Sequence, residues 1–162
     1  MICDAHIHRL EPRSGSRFRS PEEDCADSIS LQYLMGWEVF PKMSHRILVV
    51  DDSDDTCEVM RLYLTSEGFT VIVARDGNEG SEAAVRESPD LIITDARMPN
   101  LDGIEMTRQL RAQSRFKQLP IIIVTGYSQE RELEAWQAGA NEVLIKPVSP
   151  DSLVTRMRDL LS

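Results

Sequence analysis

The 162-residue sequence predicts an α/β domain with a doubly wound, five-stranded parallel sheet and helices on both faces. From Arg46 onward, short runs of Ile, Val and Leu alternate with amphipathic segments about five times. Several runs are continuously apolar, which is typical of parallel strands that are covered on both faces. Right-handed crossovers between such strands build a three-layer domain.

The apolar runs place the five predicted strands. They are short and rich in β-branched residues, and turn-forming residues separate them from their neighbours. The predicted strands cover residues 47–50, 70–74, 91–94, 121–125 and 142–145.

Two apolar stripes at helical spacing predict helices that face the core. The first lies between strands one and two, and the second follows strand five. Glycine and proline stand where helices should begin or end. The stripes comprise Val59, Met60, Tyr63 and Leu64, and then Leu153, Met157, Leu160 and Leu161. The glycine- and proline-containing positions at these helix ends are Gly68, Gly77, Ser88-Pro89, Leu119-Pro120 and Gly139.

Composition limits the classes of partner. Asp plus Glu number 27 against 18 Lys plus Arg, so the formal net charge is −9. This charge disfavours broad electrostatic binding of nucleic acid or of an anionic membrane. No apolar run approaches the roughly 20 residues of a membrane helix, and the N-terminus lacks a secretory signal. Cys3, Cys25 and Cys57 have neither metal nor disulfide spacing, which favours a reducing, cytoplasmic location.

The first 43 residues differ in composition from the rest. They are rich in Arg, Ser, Pro and Glu, and we expect a disordered extension, although residues 28–40 are apolar enough for a short helix or strand. Met43 also looks like a natural start, so an upstream mis-assigned start codon is the alternative, which N-terminal sequencing of the native protein would decide. Residues 44–162 form the predicted domain.

Polar side chains follow four of the predicted strands, at the edge where open α/β sheets bind ligands. Asp51 and Asp52 follow the first strand, and Asp95 follows the third. Thr125 ends the fourth strand, and Lys146 follows the fifth. Three converging acids would raise one another's pKa values unless a cation lay between them. Mg²⁺ is the natural candidate, because it takes one or two carboxylates and leaves room for phosphate oxygens.

The same groups suit phosphoryl transfer, in which catalysis is mainly positioning and charge stabilisation. The metal, Lys146 and the Thr125 hydroxyl would each face one phosphoryl oxygen. Asp95 would be the nucleophile and form an aspartyl phosphate. Taken singly, each residue has a plainer explanation as a helix cap, a turn or a solvated lysine. Agreement among four strand ends favours the functional interpretation.

Four short motifs occur in order along the chain: ILVVDD, LIITDARMPNLDG, IIIVTG and EVLIKPV. Each is weak alone, but together they are specific. From about Arg46 to Leu161 the chain resembles the receiver domain of two-component response regulators. The resemblance implies a flavodoxin-like sheet of order 2-1-3-4-5. It also implies a phosphorylation-switched signalling module, which is not an enzyme beyond self-catalysed phosphoryl transfer and autodephosphorylation.

The resemblance implies how a metal and a phosphoryl group would be held. Asp95 would be the phosphoacceptor and also a metal ligand. Asp52 would bind Mg²⁺ directly, Asp51 would act through a water molecule, and the backbone carbonyl of Arg97 would complete the site. Arg97 and Tyr127 occupy positions that in the family tune how fast water reaches the phosphoaspartate.

The resemblance also implies a conformational switch. Thr125 would move to hydrogen-bond the phosphoryl group, and Lys146 would pair with it. The Lys146-Pro147 peptide is expected to be cis. The family often has an aromatic residue three positions before this lysine, yet this sequence has Val143 there. Coupling of the threonine to an aromatic side chain is therefore not expected here.

The chain ends just after its fifth predicted helix, so we expect a stand-alone receiver that signals through protein contacts. The surface formed by the fourth helix, fifth strand and fifth helix is the expected contact face. The phosphoryl donor would be a phosphohistidine on a sensor histidine kinase or phosphotransfer protein. Phosphorylation could act by driving homodimerisation or by binding a different downstream protein.

Two other functions remain to be weighed. A haloacid-dehalogenase-like phosphohydrolase also uses an aspartyl nucleophile, but its motif follows the first strand, whereas Asp95 follows the third. A binding module that never uses its phosphosite is disfavoured by the complete residue set. His6 and His8 resemble the HxH motif of metal-dependent amidohydrolases, but no predicted strand precedes them and the chain is too short for a barrel of about 250 residues.

Overall fold

Five parallel strands form one sheet in the order β2-β1-β3-β4-β5, which confirms the predicted topology. The computed structural model describes residues 44–126 and 129–162, all within the unit Met43–Ser162. The predictions for residues 1–43 lie outside the described residues. The strands are β1 (Arg46–Val50), β2 (Thr70–Ala74), β3 (Leu91–Asp95), β4 (Ile121–Thr125) and β5 (Glu142–Ile145).

Helices cover both faces of the sheet. A short 3₁₀ helix, Ser114–Phe116, lies before β4. In the described ranges, none of the helices is long and apolar enough to cross a membrane. The α-helices are α1 (Asp54–Ser66), α2 (Gly77–Glu87), α3 (Gly103–Arg111), α4 (Gln129–Ala138) and α5 (Pro150–Leu161).

The strands send alternate side chains to two apolar cores, as expected for a sheet covered on both faces. One core joins the sheet to α1 and α5, and the other joins it to α2, α3 and α4. The first includes Ile47, Val49, Leu64, Leu153 and Met157. The second includes Leu48, Val50, Ala84, Met106 and Ala135.

The predicted core stripe of α1 is wrong at Val59, which is 64% exposed. Helix α1 covers only the β1 and β2 side of the sheet, so a narrower stripe is buried, with Cys57 and Leu64 at its centre. The α5 stripe is confirmed at Leu153 and Met157, which are both buried. Helix α1 is capped by Ser53, whose hydroxyl accepts from the Thr56 N–H.

The loop from β3 to α3 packs closely against the strand that it leaves. A side chain at Gly103 would overlap the carbonyl oxygen of Asp95 and the hydroxyl of Thr94. Asn100 has a φ of 66° and donates to the Asp76 carboxylate at 2.9 Å. Gly103 therefore allows α3 to begin directly behind Asp95, and this fixes the end of β3.

Replacing Gly103 with alanine should destabilise the fold, because the added methyl has no space beside Asp95 and Thr94. We expect the free energy of unfolding to fall by about 1–3 kcal/mol, as for other overpacked sites. Urea denaturation would measure it. Gly126→Ala is the matched control, since a Cβ there meets no atom within 4 Å. Equal stability of the two variants would contradict the packing argument.

Candidate functional site

The ends of β1 and β3 bring Asp51 and Asp95 close together. Val50 pairs with Thr94 in the sheet, so the residues that follow them lie side by side. Asp51 is only 8% exposed, and its Oδ1 accepts the Ser53 N–H at 2.9 Å. The Cys57 thiol donates to the Asp51 backbone carbonyl at 3.2 Å. Asp51 is therefore held by both its backbone and its carboxylate.

Both oxygens of the Asp95 carboxylate have a hydrogen-bond partner. Oδ2 accepts the backbone N–H of Arg97 at 2.6 Å, and the Lys146 ammonium contacts Oδ1. The Asp95 side chain is 11% exposed, whereas that of Lys146 is 48% exposed. The lysine thus reaches from the solvent side to a mostly buried carboxylate. The Lys146-Pro147 peptide is cis, as predicted.

Electrostatics at this edge of the sheet disfavour further negative charge. Burial raises the pKa of the Asp51 carboxyl above its usual value, and the nearby charges of Asp95 and Asp52 act in the same direction. The hydrogen bond from the Ser53 N–H and the charge of Lys146 oppose this effect. A cation beside Asp51 would therefore remove an unfavourable interaction that folding creates.

The donor set fits a hard divalent cation. Asp51 and Asp95 offer carboxylate oxygens at adjacent strand ends, and Mg²⁺ is usually held by one or two carboxylates together with water and phosphate oxygens. Over residues 44–126 and 129–162, no three Asp, Glu, His or Cys side chains are gathered into a complete metal cage. Such a partial set suits Mg²⁺, which keeps several waters, better than it suits a metal that requires a closed cage.

A cavity of about 170 Å³ lies next to these groups. Asp51, Asp95 and Lys146 form its polar end, and the rest of its wall is mostly apolar side chains of the sheet, α1 and α5. The charged atoms of this pocket belong to Asp51, Asp95 and Lys146, and the mostly apolar wall beside them strengthens their electrostatic interactions relative to those in water.

The structure brings together only part of the predicted site. Asp52 is exposed and does not line the cavity. Thr125 is 2% exposed, and its hydroxyl donates to the Gly126 carbonyl at 3.2 Å and not to Asp95. Arg97 contributes its backbone N–H, while its side chain is exposed. Tyr127 lies outside the described residues.

The sequence analysis missed two contributors to this site. The Ser53 N–H holds the Asp51 carboxylate, and the Cys57 thiol binds the Asp51 carbonyl. In the sequence, only the position of Cys57 in the first helical turn after Asp51 and Asp52 indicated a contact with this site. Val143, where the family often has an aromatic residue, is 9% exposed and belongs to the core that includes Ala135 and Ala138.

Comparisons with known proteins agree with this fold. The family model for the response regulator receiver domain matches residues 47–158. Response regulator MprA of Mycobacterium ulcerans is 42% identical over 120 residues, which cover 74% of this chain and 51% of MprA. The chain spans about half the length of the curated relatives it matches.

Solved receiver structures share the fold. The receiver domain of a signal transduction histidine kinase from Syntrophus aciditrophicus has a TM-score of 0.70 at 29% identity, covering 73% of this chain and 90% of that one. Chemotaxis response regulator CheY4 of Vibrio cholerae has a TM-score of 0.69 at 32% identity, covering 74% and 100%.

The described fold, with acidic residues and a lysine at the ends of parallel strands, is that of a signal receiver domain. The chain belongs to the response regulator receiver domain family of two-component systems. Receiver domains are generally not classed as enzymes; they bind Mg²⁺ at the phosphorylation site and interact with histidine kinases and downstream targets.

Asp51→Asn should stabilise the metal-free protein at neutral pH. The pKa of this buried acid is higher in the folded state than in the unfolded state, so ionising it costs stability. This cost is absent below the usual Asp pKa and fully present above the raised one. At pH 7 in chelator, we expect a gain on the order of 1 kcal/mol in urea denaturation.

Asp52→Asn is the matched control, because Asp52 is exposed. We expect its free energy of unfolding to stay within about 0.5 kcal/mol of wild type. A loss of stability in Asp51→Asn at pH 7 would show that burial of this carboxylate is not the dominant effect.

Proposed function

We propose that this receiver domain accepts a phosphoryl group on Asp95 from a phosphohistidine of a sensor histidine kinase or phosphotransfer protein. The observation that carries the proposal is the contact of the Lys146 ammonium with Asp95, beside the buried carboxylate of Asp51. An acid in a mostly enclosed pocket, with a cation aimed at one of its oxygens, is suited to receive an anionic group.

The transfer step balances without an additional reactant. An Asp95 oxygen attacks the phosphorus, and the O–P bond forms as the N–P bond of the donor breaks. The imidazole nitrogen leaves with the electron pair and takes up a proton. We assign the attack to Oδ1. The Arg97 backbone N–H holds Oδ2 in place, whereas the partner of Oδ1 is the half-exposed Lys146 side chain, which can move with the transferred group. Lys146 already contacts Oδ1, so its ammonium is placed to pair with a phosphoryl oxygen once the O–P bond has formed.

Mg²⁺ is part of this proposal. Asp52 and Asp95 would hold it with the carbonyl of Arg97, while Asp51 would act through a water molecule. Its chemistry when bound is to neutralise charge on the acids and on the phosphoryl oxygens. Support comes from the raised pKa of Asp51, because that carboxylate lacks sufficient compensation from the protein itself.

Signalling would follow from a shift between two conformers. The Thr125 hydroxyl now donates to the Gly126 carbonyl, and a phosphoryl group on Asp95 would compete for it. Because Val143 is small, the accompanying change would not depend on rotation of an aromatic ring.

The output surface in this proposal is formed by α4, β5 and α5. Three exposed apolar side chains lie on it: Leu133 (58% exposed), Trp136 (44%) and Ile145 (38%). They could contact a downstream protein or, after phosphorylation, a second copy of this chain. Neither nucleic acid nor membrane is a proposed direct partner. The free thiol of Cys57 suits the cytoplasmic location that we propose.

A haloacid-dehalogenase-like phosphohydrolase is a weaker alternative, because its nucleophile follows the first strand and Asp95 ends the third. Assays with small phosphate esters separate the two: multiple turnover would favour the hydrolase, whereas stoichiometric labelling favours the receiver. A binding module that never uses Asp95 predicts no labelling at all.

Acetyl phosphate should phosphorylate the wild-type protein once, and only with Mg²⁺. Intact-mass spectrometry would detect the adduct. Asp95→Asn removes the nucleophile with little change in volume, so it should lose the adduct. Asp90→Asn, in the loop before β3, is the matched control and should retain it. An equal, Mg²⁺-dependent adduct in Asp95→Asn would contradict the assignment.

Arg97→Asn and Tyr127→Glu should change the lifetime of the phosphorylated protein several-fold. The Arg97 side chain begins beside the Asp95 carboxylate, since its N–H binds Oδ2. Loss of phosphate after removal of donor would be followed over time. Arg86→Asn, at the distant end of α2, should leave the rate unchanged. Wild-type rates in both site variants would contradict a role in water access.

A further inference from the structure

Helix α4 is joined to α3 by an arginine near each of its ends. At the C-terminal end, Arg111 of α3 donates to the Gly139 carbonyl at 2.9 Å and to Asn141 Oδ1 at 2.7 Å. Its remaining nitrogen donates to the Phe116 carbonyl at 2.6 Å. Asn141 Oδ1 also accepts the N–H of Ile121, the first residue of β4. This end of α4 is therefore tied to α3 and to the sheet.

The N-terminal end of α4 is held differently. Arg131 Nη1 lies 3.3 Å from Asp102 Oδ2, just before α3, and 3.2 Å from Glu134 Oε2 on its own helix. The Arg131 and Asp102 side chains are 34% and 28% exposed. This ion pair is longer and closer to water than the bonds of Arg111, so it is the easier one to break.

Helix α4 has little other packing to hold it. Its buried side chains, among those that the structure describes, are Ala135 and Ala138. Small side chains bury little apolar area, so moving this helix costs less than moving α3, which buries Ile104, Met106 and Leu110. An ion pair near the N-terminal end of such a helix contributes to which of two positions the helix takes.

Asp102 and Arg131 are also placed to sense the phosphosite. Asp102 closes the loop that begins at Asp95, and it caps α3 by accepting the Glu105 N–H at 2.8 Å. Arg131 lies a few residues after Thr125, whose hydroxyl bonds the Gly126 carbonyl. A phosphoryl group on Asp95 would add bulk and negative charge at the start of the loop that Asp102 closes, so a change in this loop reaches Asp102 and its partner Arg131.

We propose that the Asp102–Arg131 ion pair is a latch that holds α4 in the described position and that phosphorylation of Asp95 releases. Helix α4 then pivots about the end that Arg111 secures. The latch rests on the proposed function, because it opposes the same conformer that the phosphoryl group favours. Breaking it should therefore raise the population of that conformer and the apparent affinity for a phosphoryl mimic.

The test is a titration with beryllofluoride at saturating Mg²⁺, read by Trp136 fluorescence in a Trp37→Phe background. Trp136 lies on α4 and is 44% exposed, so it reports this helix directly. Asp102→Asn removes the charge but keeps a good helix cap. Arg131→Gln removes the other charge and keeps helix propensity. Each should tighten apparent binding by about twofold to fivefold.

Two comparisons separate the latch from general effects. The Asp102→Asn/Arg131→Gln double variant should bind no more tightly than the Arg131→Gln variant, because the Asp102–Arg131 pair is already absent there. Arg131→Lys keeps the charge and should stay near wild type. Arg108→Gln is the matched control, since Arg108 pairs with Glu105 inside α3 and should have no effect.

Wild-type affinity in both single variants, or additive effects in the double variant, would overturn the latch and leave the proposed function standing. The absence of any Mg²⁺-dependent response to beryllofluoride in the parent protein would instead contradict the proposed function, and the latch with it.

Discussion

The carboxylate of Asp51 is held at the end of β1 with 8% exposure, beside Asp95 on the neighbouring strand. Like charges so placed repel, and burial strengthens the repulsion. The protein compensates only in part, through the Ser53 N–H and the Lys146 ammonium. This unfavourable arrangement persists because the parallel sheet fixes the strand ends. In the proposed function, a cation relieves the repulsion and accompanies a phosphoryl group in the pocket.

In the proposed function, the rest of the domain transmits this local electrostatic state. Gly103 lets α3 start against Asp95, so Asp95 and the start of α3 are held together. Thr125 ends the strand beside it, and its hydroxyl faces the loop toward α4. Helix α4 is held to the rest of the domain by few large contacts. Its buried side chains are two alanines, and one arginine contact lies near each of its ends. In the proposed switch, a change of charge at Asp95 reaches α4 and its exposed apolar side chains through few intervening residues.

The sheet could be predicted because each strand is a continuous β-branched run between turn residues; only β1 and β3 are one residue longer than predicted. Asp51, Asp95 and Lys146 lie together as predicted from their positions at the ends of parallel strands. Rotamers and long-range pairs could not be predicted in this way. The direction of the Thr125 hydroxyl depends on one side-chain torsion angle. The Asp102–Arg131 pair joins the residue before α3 to α4, and no local sequence pattern encodes the distance between these two helices. Exposure of Val59 likewise depends on how far α1 overhangs the sheet.

The identity of the phosphorylated residue tests the account most directly. An acyl phosphate can be reduced by borohydride to an alcohol, which marks the modified aspartate permanently as homoserine. After treatment with phosphoryl donor and Mg²⁺, reduction and trypsin cleavage, residues 87–97 form one peptide that contains Asp90 and Asp95. Fragmentation should place homoserine at position 95 alone. Homoserine at 51, 52 or 90, or an unmodified peptide from protein that carries the phosphoryl mass, would contradict the account.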